Sequence, residues 1–178
     1  MTDTKTIYLA GGCFWGVEEL FRQLPGVLAT QTGYANGNLT EGVTYERVCQ
    51  GDTDFRETVR VEFDPQALPL ERLLWAYFQI IDPTIQNQQG NDVGTQYQTG
   101  IYWPAQDEEL GRDVLSIAHA ERKRIEGQGL PFFVELRPLG NYFPAEEYHQ
   151  EYLVKNPGGY CHVSRVEMHE VLEALANA

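Results

Sequence analysis

Cationic residues are scarce in this chain: 13 Lys and Arg stand against 26 Asp and Glu in 178 residues, a formal net charge of -13. Nucleic acid and anionic lipid both demand a basic face, and no basic patch overrides the deficit, so neither is an expected partner. Long apolar runs are also missing. Nowhere do the roughly 18 apolar residues needed to cross a bilayer run together. The opening Met1-Thr2-Asp3-Thr4-Lys5-Thr6 has neither the basic region nor the apolar segment of a leader. The chain therefore reads as cytoplasmic, neither secreted nor membrane-spanning. Cysteine is sparse: three residues, at 13, 49 and 161, are too few and too far apart for a disulfide framework. An odd count fits a reducing compartment in which one or two thiols work. With no low-complexity tract, no internal repeat and 42% hydrophobic residues, residues 1–178 read as one globular domain with a sizeable core.

What the chain does have is a cysteine among glycines. Gly11-Gly12-Cys13-Phe14-Trp15-Gly16 falls where the apolar strand Thr6–Ala10 hands over to a helix beginning near Phe14. Backbone N–H groups and the positive dipole end at such a helix start stabilise a thiolate, and the glycines let a substrate approach. A small buried hydrophobe at a tight turn is the competing reading of Cys13, and local chemistry leaves both open.

The periodicity predicts strands over Val27–Tyr34, Phe55–Phe63, Ile101–Trp103 and Leu130–Leu139. Helices are expected from Leu70 to Ile81, from Pro104 through the charged stretch ending Arg122-Lys123-Arg124, and from Ala145 to Val154. A long loop with a short helix near Tyr45–Cys49 follows the Asn36-Gly37-Asn38 turn, and the last residues read as a short helix or a fraying tail. In the strand Phe55–Phe63, alternation puts Phe55, Val59, Val61 and Phe63 on one face, and Glu57 falls among them. Burial there disfavours the carboxylate, which makes Glu57 a candidate proton donor near neutral pH. From Thr84 to Thr99 the chain is amides, hydroxyls and glycine with almost nothing apolar to bury, which suits the lining of a polar site. Cys161 follows Lys155-Asn156-Pro157-Gly158-Gly159-Tyr160, a loop able to swing its thiol toward another.

Three chemistries can be assembled from these parts. In a two-cysteine redox enzyme, Cys13 attacks, Glu57 supplies a proton and Cys161 resolves the oxidised intermediate. A Cys–His hydrolase would need His119, His149, His162 or His169 opposite Cys13. A non-catalytic metal-binding module from His149, Cys161, His162 and His169 does not match structural zinc spacings, and no metal is expected.

The motifs Gly12-Cys13-Phe14-Trp15-Gly16, Gly42-Val43-Thr44-Tyr45-Glu46-Arg47-Val48-Cys49-Gln50-Gly51, Asp82-Pro83-Thr84, Gln89-Gly90-Asn91-Asp92-Val93-Gly94-Thr95-Gln96-Tyr97 and Lys155-Asn156-Pro157 with Gly159-Tyr160-Cys161 decide among them. In order and over nearly the whole chain, they resemble the A-type methionine sulfoxide reductases. The resemblance implies an α+β fold, a two-layer α/β sandwich of ferredoxin-like strand–helix alternation with a mixed, mostly antiparallel sheet. It implies protein repair by reduction of the S epimer of methionine sulfoxide, in oxidised proteins and as the free amino acid. Cys13 matches the nucleophile, Glu57 the acid, and Tyr45 and Tyr97 the hydroxyl donors to the sulfoxide oxygen. Asp92 matches a supporting hydrogen-bond residue, Phe14 and Trp15 the aromatic wall for the substrate methyl, and Cys161 the recycling cysteine. The Cys13–Cys161 disulfide is then reduced by thioredoxin, with no cofactor; a monomer is expected, with 155–178 as a flexible C-terminal segment. Cys49 matches a non-catalytic position. Asp54-Phe55-Arg56 replaces the family's common Gly-His-Ala before the acid. Ile81 stands where histidine is common, and Gln88 and Gln98 where arginines are; these changes are expected to tune surface charge. No cysteine follows Cys161, which implies a one-disulfide relay.

Overall fold

The computed structural model describes residues 3–177. Strands β1 (Lys5–Ala10), β2 (Val27–Ala35) and β3 (Arg56–Phe63) alternate with helices α1 (Phe14–Phe21), α2 (Tyr45–Val48) and α3 (Leu70–Ile80). A two-stranded hairpin of β4 (Gln88–Gln89) and β5 (Asp92–Val93), then β6 (Gly100–Trp103) and α4 (Glu108–Glu126), carry the chain to β7 (Glu135–Pro138) and β8 (Tyr142–Pro144). Helices α5 (Tyr152–Lys155) and α6 (Arg165–Ala176) close it. Six strands form one sheet in the order β7-β6-β1-β3-β2-β8, with β6 and β7 parallel and every other neighbouring pair antiparallel. This is the expected mixed, mostly antiparallel sheet of an α+β two-layer sandwich.

The strands' period of two explains the layering. On β1 and β3, Ile7, Leu9, Val59, Val61 and Phe63 are fully buried against Val17, Leu20 and Phe21 of α1 and the Leu73, Leu74 and Tyr77 stripe of α3. The opposite face carries a smaller cluster of Ala10, Ala35 and Tyr102 with Tyr8, Leu139 and Tyr142, so no second helical layer is needed. The ends of β1 and β3 nearest α1 bring Cys13 and Glu57 to one edge of the core.

Three segments depart from the sequence expectation. Helix α4 begins at Glu108, four residues past Pro104, because the Asp107 carboxylate accepts the Leu110 N–H at 3.1 Å and caps the helix there. The strand expected over Leu130–Leu139 shrinks to Glu135–Pro138, where β6 supplies parallel partners. The helix expected over Ala145–Val154 is broken. Gln150 uses its side-chain amide like a strand residue, accepting from Thr32 N and donating to Thr32 O, both at 2.9 Å. Next to it the buried Glu18 carboxylate takes the Glu151 N–H at 2.6 Å, and Glu151 adopts φ +48°. The final residues are helical: Ser164 and Glu167 cap each other reciprocally, and Met168 and Val171 are buried in the core.

Candidate active site

Cys13 sits at the cap of α1, after Gly12 at φ +85°, and is only 7% exposed. A stabilised thiolate is one of the two readings the local sequence leaves open, but the structure shows the reverse at rest. Burial pushes the thiol well above its ordinary value and the neighbouring Glu57 carboxylate pushes it further, while the Trp15 backbone N–H pulls the other way. One N–H and a short helix do not offset the loss of water around the sulfur. Cys13 therefore rests as a thiol.

Glu57 is where the alternation of β3 puts it, 2% exposed and opposite Tyr34 of β2. Burial, with a smaller contribution from Asp92, pushes its carboxyl up to about 8, against a 3.2 Å hydrogen bond donated by the Phe14 N–H to Oε1. It is protonated at neutral pH. Around these two groups lies a cavity of about 100 Å³ lined by Cys13, Phe14, Trp15, Tyr45, Glu57, Asp92, Tyr97 and Tyr160. Roomier depressions exist, such as one of about 490 Å³ along α4, but they gather no such set of reactive groups. The small volume suits the tip of a side chain.

The other lining residues are held by polar contacts. Glu146 accepts the Tyr45 N–H at 3.0 Å and the Tyr34 hydroxyl at 2.8 Å, which anchors α2 to β2. Burial pushes the Tyr45 and Tyr97 hydroxyls far above their ordinary value, so both remain donors. Asp92 comes from β5 and accepts the Tyr160 hydroxyl at 3.0 Å. The amide-rich stretch that carries Asp92 and Tyr97 is ordered by its own glutamines. Gln89 brackets Asp82, accepting from its N–H and donating to its carbonyl, each at 2.8 Å. Gln98, 3% exposed, accepts the Asn87 N–H at 2.7 Å and donates to the Phe133 carbonyl at 2.6 Å. Gln98 and Ile81 are thus buried supports, which corrects the expectation that they tune surface charge. Arg56 projects from β3 away from Glu57 and pairs with Glu135 at 2.9 Å, so its charge is met on the far side of the strand.

Phe14 and Trp15 face a histidine that sequence reasoning used only as a possible base or ligand. His149 is 1% exposed, and its Nδ1 accepts the Trp15 indole N–H at 2.9 Å. Its ring packs 5.1 Å from Phe14 and 4.6 Å from Tyr45, and Trp15 stacks on Tyr152 at 3.6 Å. Only the ending Tyr148-His149, on a segment read as helix, could have signalled this box, and nothing in its period does. The Cys–His and metal alternatives are not built. His119 is exposed on α4, His169 pairs with Glu173 at 3.2 Å on α6, and among the described residues no three His, Cys, Asp or Glu gather as metal ligands. Cys49 is exposed at the end of α2, outside the cavity lining. Cys161 is half-buried, reaches the first turn of α1, and would lie 3.0 Å from a Cβ at Gly16.

A buried thiol, a buried proton-bearing carboxyl and a second thiol at the same helix turn define a cysteine-based oxidoreductase. The sequence model described as peptide methionine sulfoxide reductase matches residues 5–177. The enzyme of that name from Clostridium acetobutylicum is 50% identical over 161 residues, covering 90% of this chain and 96% of its own. Among solved structures, methionine sulfoxide reductase A of Corynebacterium diphtheriae superposes with a TM-score of 0.83 at 38% identity, over 90% of this chain and 79% of that one. Reduced Mxr1 from Saccharomyces cerevisiae gives 0.80 at 38%, over 90% and 91%. The chain belongs to the peptide methionine sulfoxide reductase family. Its reaction is the reduction of methionine sulfoxide to methionine.

Proposed function

We propose that the chain acts on the S epimer of methionine sulfoxide, in proteins and as the free amino acid, with each pocket residue in a distinct role. The observation that supports this chemistry is the pairing of Cys13 with a Glu57 carboxyl that is protonated up to about pH 8 in the same small cavity, while the choice of epimer rests on the family resemblance. Phe14 and Trp15 hold the methyl group, while the Tyr45 and Tyr97 hydroxyls aim donors at the sulfoxide oxygen and Asp92 supports the network through Tyr160. Glu57 gives its proton to that oxygen as Cys13 sulfur attacks the sulfoxide sulfur, and the carboxylate so formed receives the thiol proton. The methionine S–O bond breaks as its hydroxyl passes to the Cys13 sulfur and the transient bond between the two sulfurs breaks, so methionine leaves and Cys13 is left as a sulfenic acid, two electrons having passed from the thiol sulfur to the sulfoxide sulfur. Cys161 then attacks the Cys13 sulfur, forming the disulfide and releasing water. A dithiol carrier must reduce that bond. Mxr1 has also been solved in a complex with Trx2, and thioredoxin is the carrier we assign to this chain. The reading needs no prosthetic group and places a monomeric single domain in the cytoplasm, with the segment after Lys155 moving during the cycle.

Mass spectrometry after adding substrate without reductant tests the scheme. The parent should release methionine and accumulate a Cys13–Cys161 disulfide. Cys13→Ser should release none, and Cys161→Ser should release one equivalent without cycling on thioredoxin. Full cycling by either variant overturns the assignment of that cysteine.

A further inference from the structure

His162 has a seat that none of the roles above uses. Its Nε2 lies 2.8 Å from the Gly11 carbonyl oxygen, and because a carbonyl only accepts, Nε2 carries the proton. That leaves Nδ1 bare. Nδ1 is buried and has no hydrogen-bond partner, an unusual state for a basic nitrogen. The imidazole packs closely over two glycines. A Cβ on Gly12 would come within 3.1 Å of Nε2, and one on Gly16 within 3.2 Å of Nδ1. The same absent Gly16 Cβ would lie 3.0 Å from Cys161 Sγ, so the bare nitrogen and the thiol lie around one point over the first turn of α1, with no hydrogen bond between them at rest. The glycines around Cys13, expected to admit a substrate, thus also form the floor under Cys161-His162.

We propose that His162 serves the second half of the cycle: it pins the recycling segment to the Gly11 carbonyl and accepts, at Nδ1, the proton of Cys161 as that thiol closes the disulfide with Cys13. The inference rests on Cys161 being the recycling cysteine. As the S–S bond forms, the sulfenic S–O bond of Cys13 breaks. The Cys161 sulfur is oxidised, the Cys13 sulfur is reduced, and the proton taken by Nδ1 passes to the departing hydroxide to give water. Charge around the ring permits this. Burial holds the imidazole below its ordinary value, against a weaker upward pull from the Gly11 carbonyl, Asp92 of β5 and Glu167 of α6. The Cys161 thiol is held above its ordinary value by burial and by Glu19 of α1, with the Val163 N–H and Arg165 opposing, so it needs an acceptor to react near pH 7.

Two variants separate the pin from the base. His162→Gln keeps an N–H donor for the Gly11 carbonyl but has no basic nitrogen; His162→Ala has neither. In rapid-quench single turnovers without reductant, methionine release and Cys13–Cys161 disulfide formation are followed separately. Both variants should slow disulfide formation roughly 10²-fold at pH 7, the usual worth of a positioned base, with a far smaller change in methionine release. The parent's disulfide rate should be flat from pH 6.5 to 8 and fall at lower pH as the imidazole protonates. In His162→Gln it should instead climb with pH as Cys161 ionises unaided. A parental disulfide rate at pH 7 in either variant, or an unchanged pH profile in His162→Gln, overturns the proposal. If the parent itself forms no such disulfide, the recycling reading fails and the proposal falls with it, a failure visible in the parent alone.

Discussion

At the scale of the residue, a carboxyl with a value near 8 controls both chemistry and stability. In the proposed mechanism the acid form of Glu57 is the active one, so turnover should fall as pH rises through about 8, and a pH profile of kcat/KM checks this. Glu57→Gln should slow sulfoxide reduction by roughly 10²-fold or more, the common worth of a general acid. The same change should help the fold. Because the folded protein holds this proton from about pH 4.5, where an unfolded glutamate releases it, up to about 8, the parent loses stability as pH rises across that window. Glu57→Gln removes the titration, so its melting temperature should gain on the parent's from pH 5 to 8. A gap that stays constant across the window would show that the carboxyl is not held protonated.

At the scale of the element, the site depends on irregular segments braced by side chains. Gln98 satisfies the Asn87 N–H and the Phe133 carbonyl. Gln98→Ala leaves both without a partner, at about 1–3 kcal/mol for each buried group. It should lower the urea midpoint and reduce kcat/KM together, since Tyr97 and Asp92 ride on the same stretch. The regular elements were legible in the sequence because one face of each meets a core: the alternation of Phe55–Phe63 isolated Glu57 among apolar neighbours, and the stripe of Leu70–Ile81 announced α3. The bracing was not. Gln89 and Gln98 look like surface residues in any pattern of polarity, since a glutamine that hydrogen-bonds main chain, seven residues away at Gln89 and 35 at Gln98, carries no period. The break at Gln150-Glu151 was hidden for the same reason, because Thr32 and Glu18 are remote in sequence. The motif resemblance supplied roles for Tyr45, Tyr97 and Asp92, which no local rule distinguishes from other loop residues.

At the scale of the whole molecule, a single sheet with helices on one face lets strands of distant sequence position, β1 and β3, deliver Cys13 and Glu57 to the same edge. The C-terminal segment then returns across α1, with Tyr160 tied to Asp92 and His162 to Gly11, so long-range contacts bring both cysteines to the start of that helix. The state of Cys13 within this arrangement also bears on how the protein meets indiscriminate chemistry. Peroxides and electrophiles react with exposed thiolates, and Cys13 at rest offers neither exposure nor charge. Brief treatment of the reduced protein with iodoacetamide should therefore modify the exposed Cys49 well before Cys13, with peptide mapping as the readout; equal labelling would contradict the burial. On the proposed mechanism the working sulfur is thus quiet at rest, and an oxidising burst should be met first at the exposed Cys49.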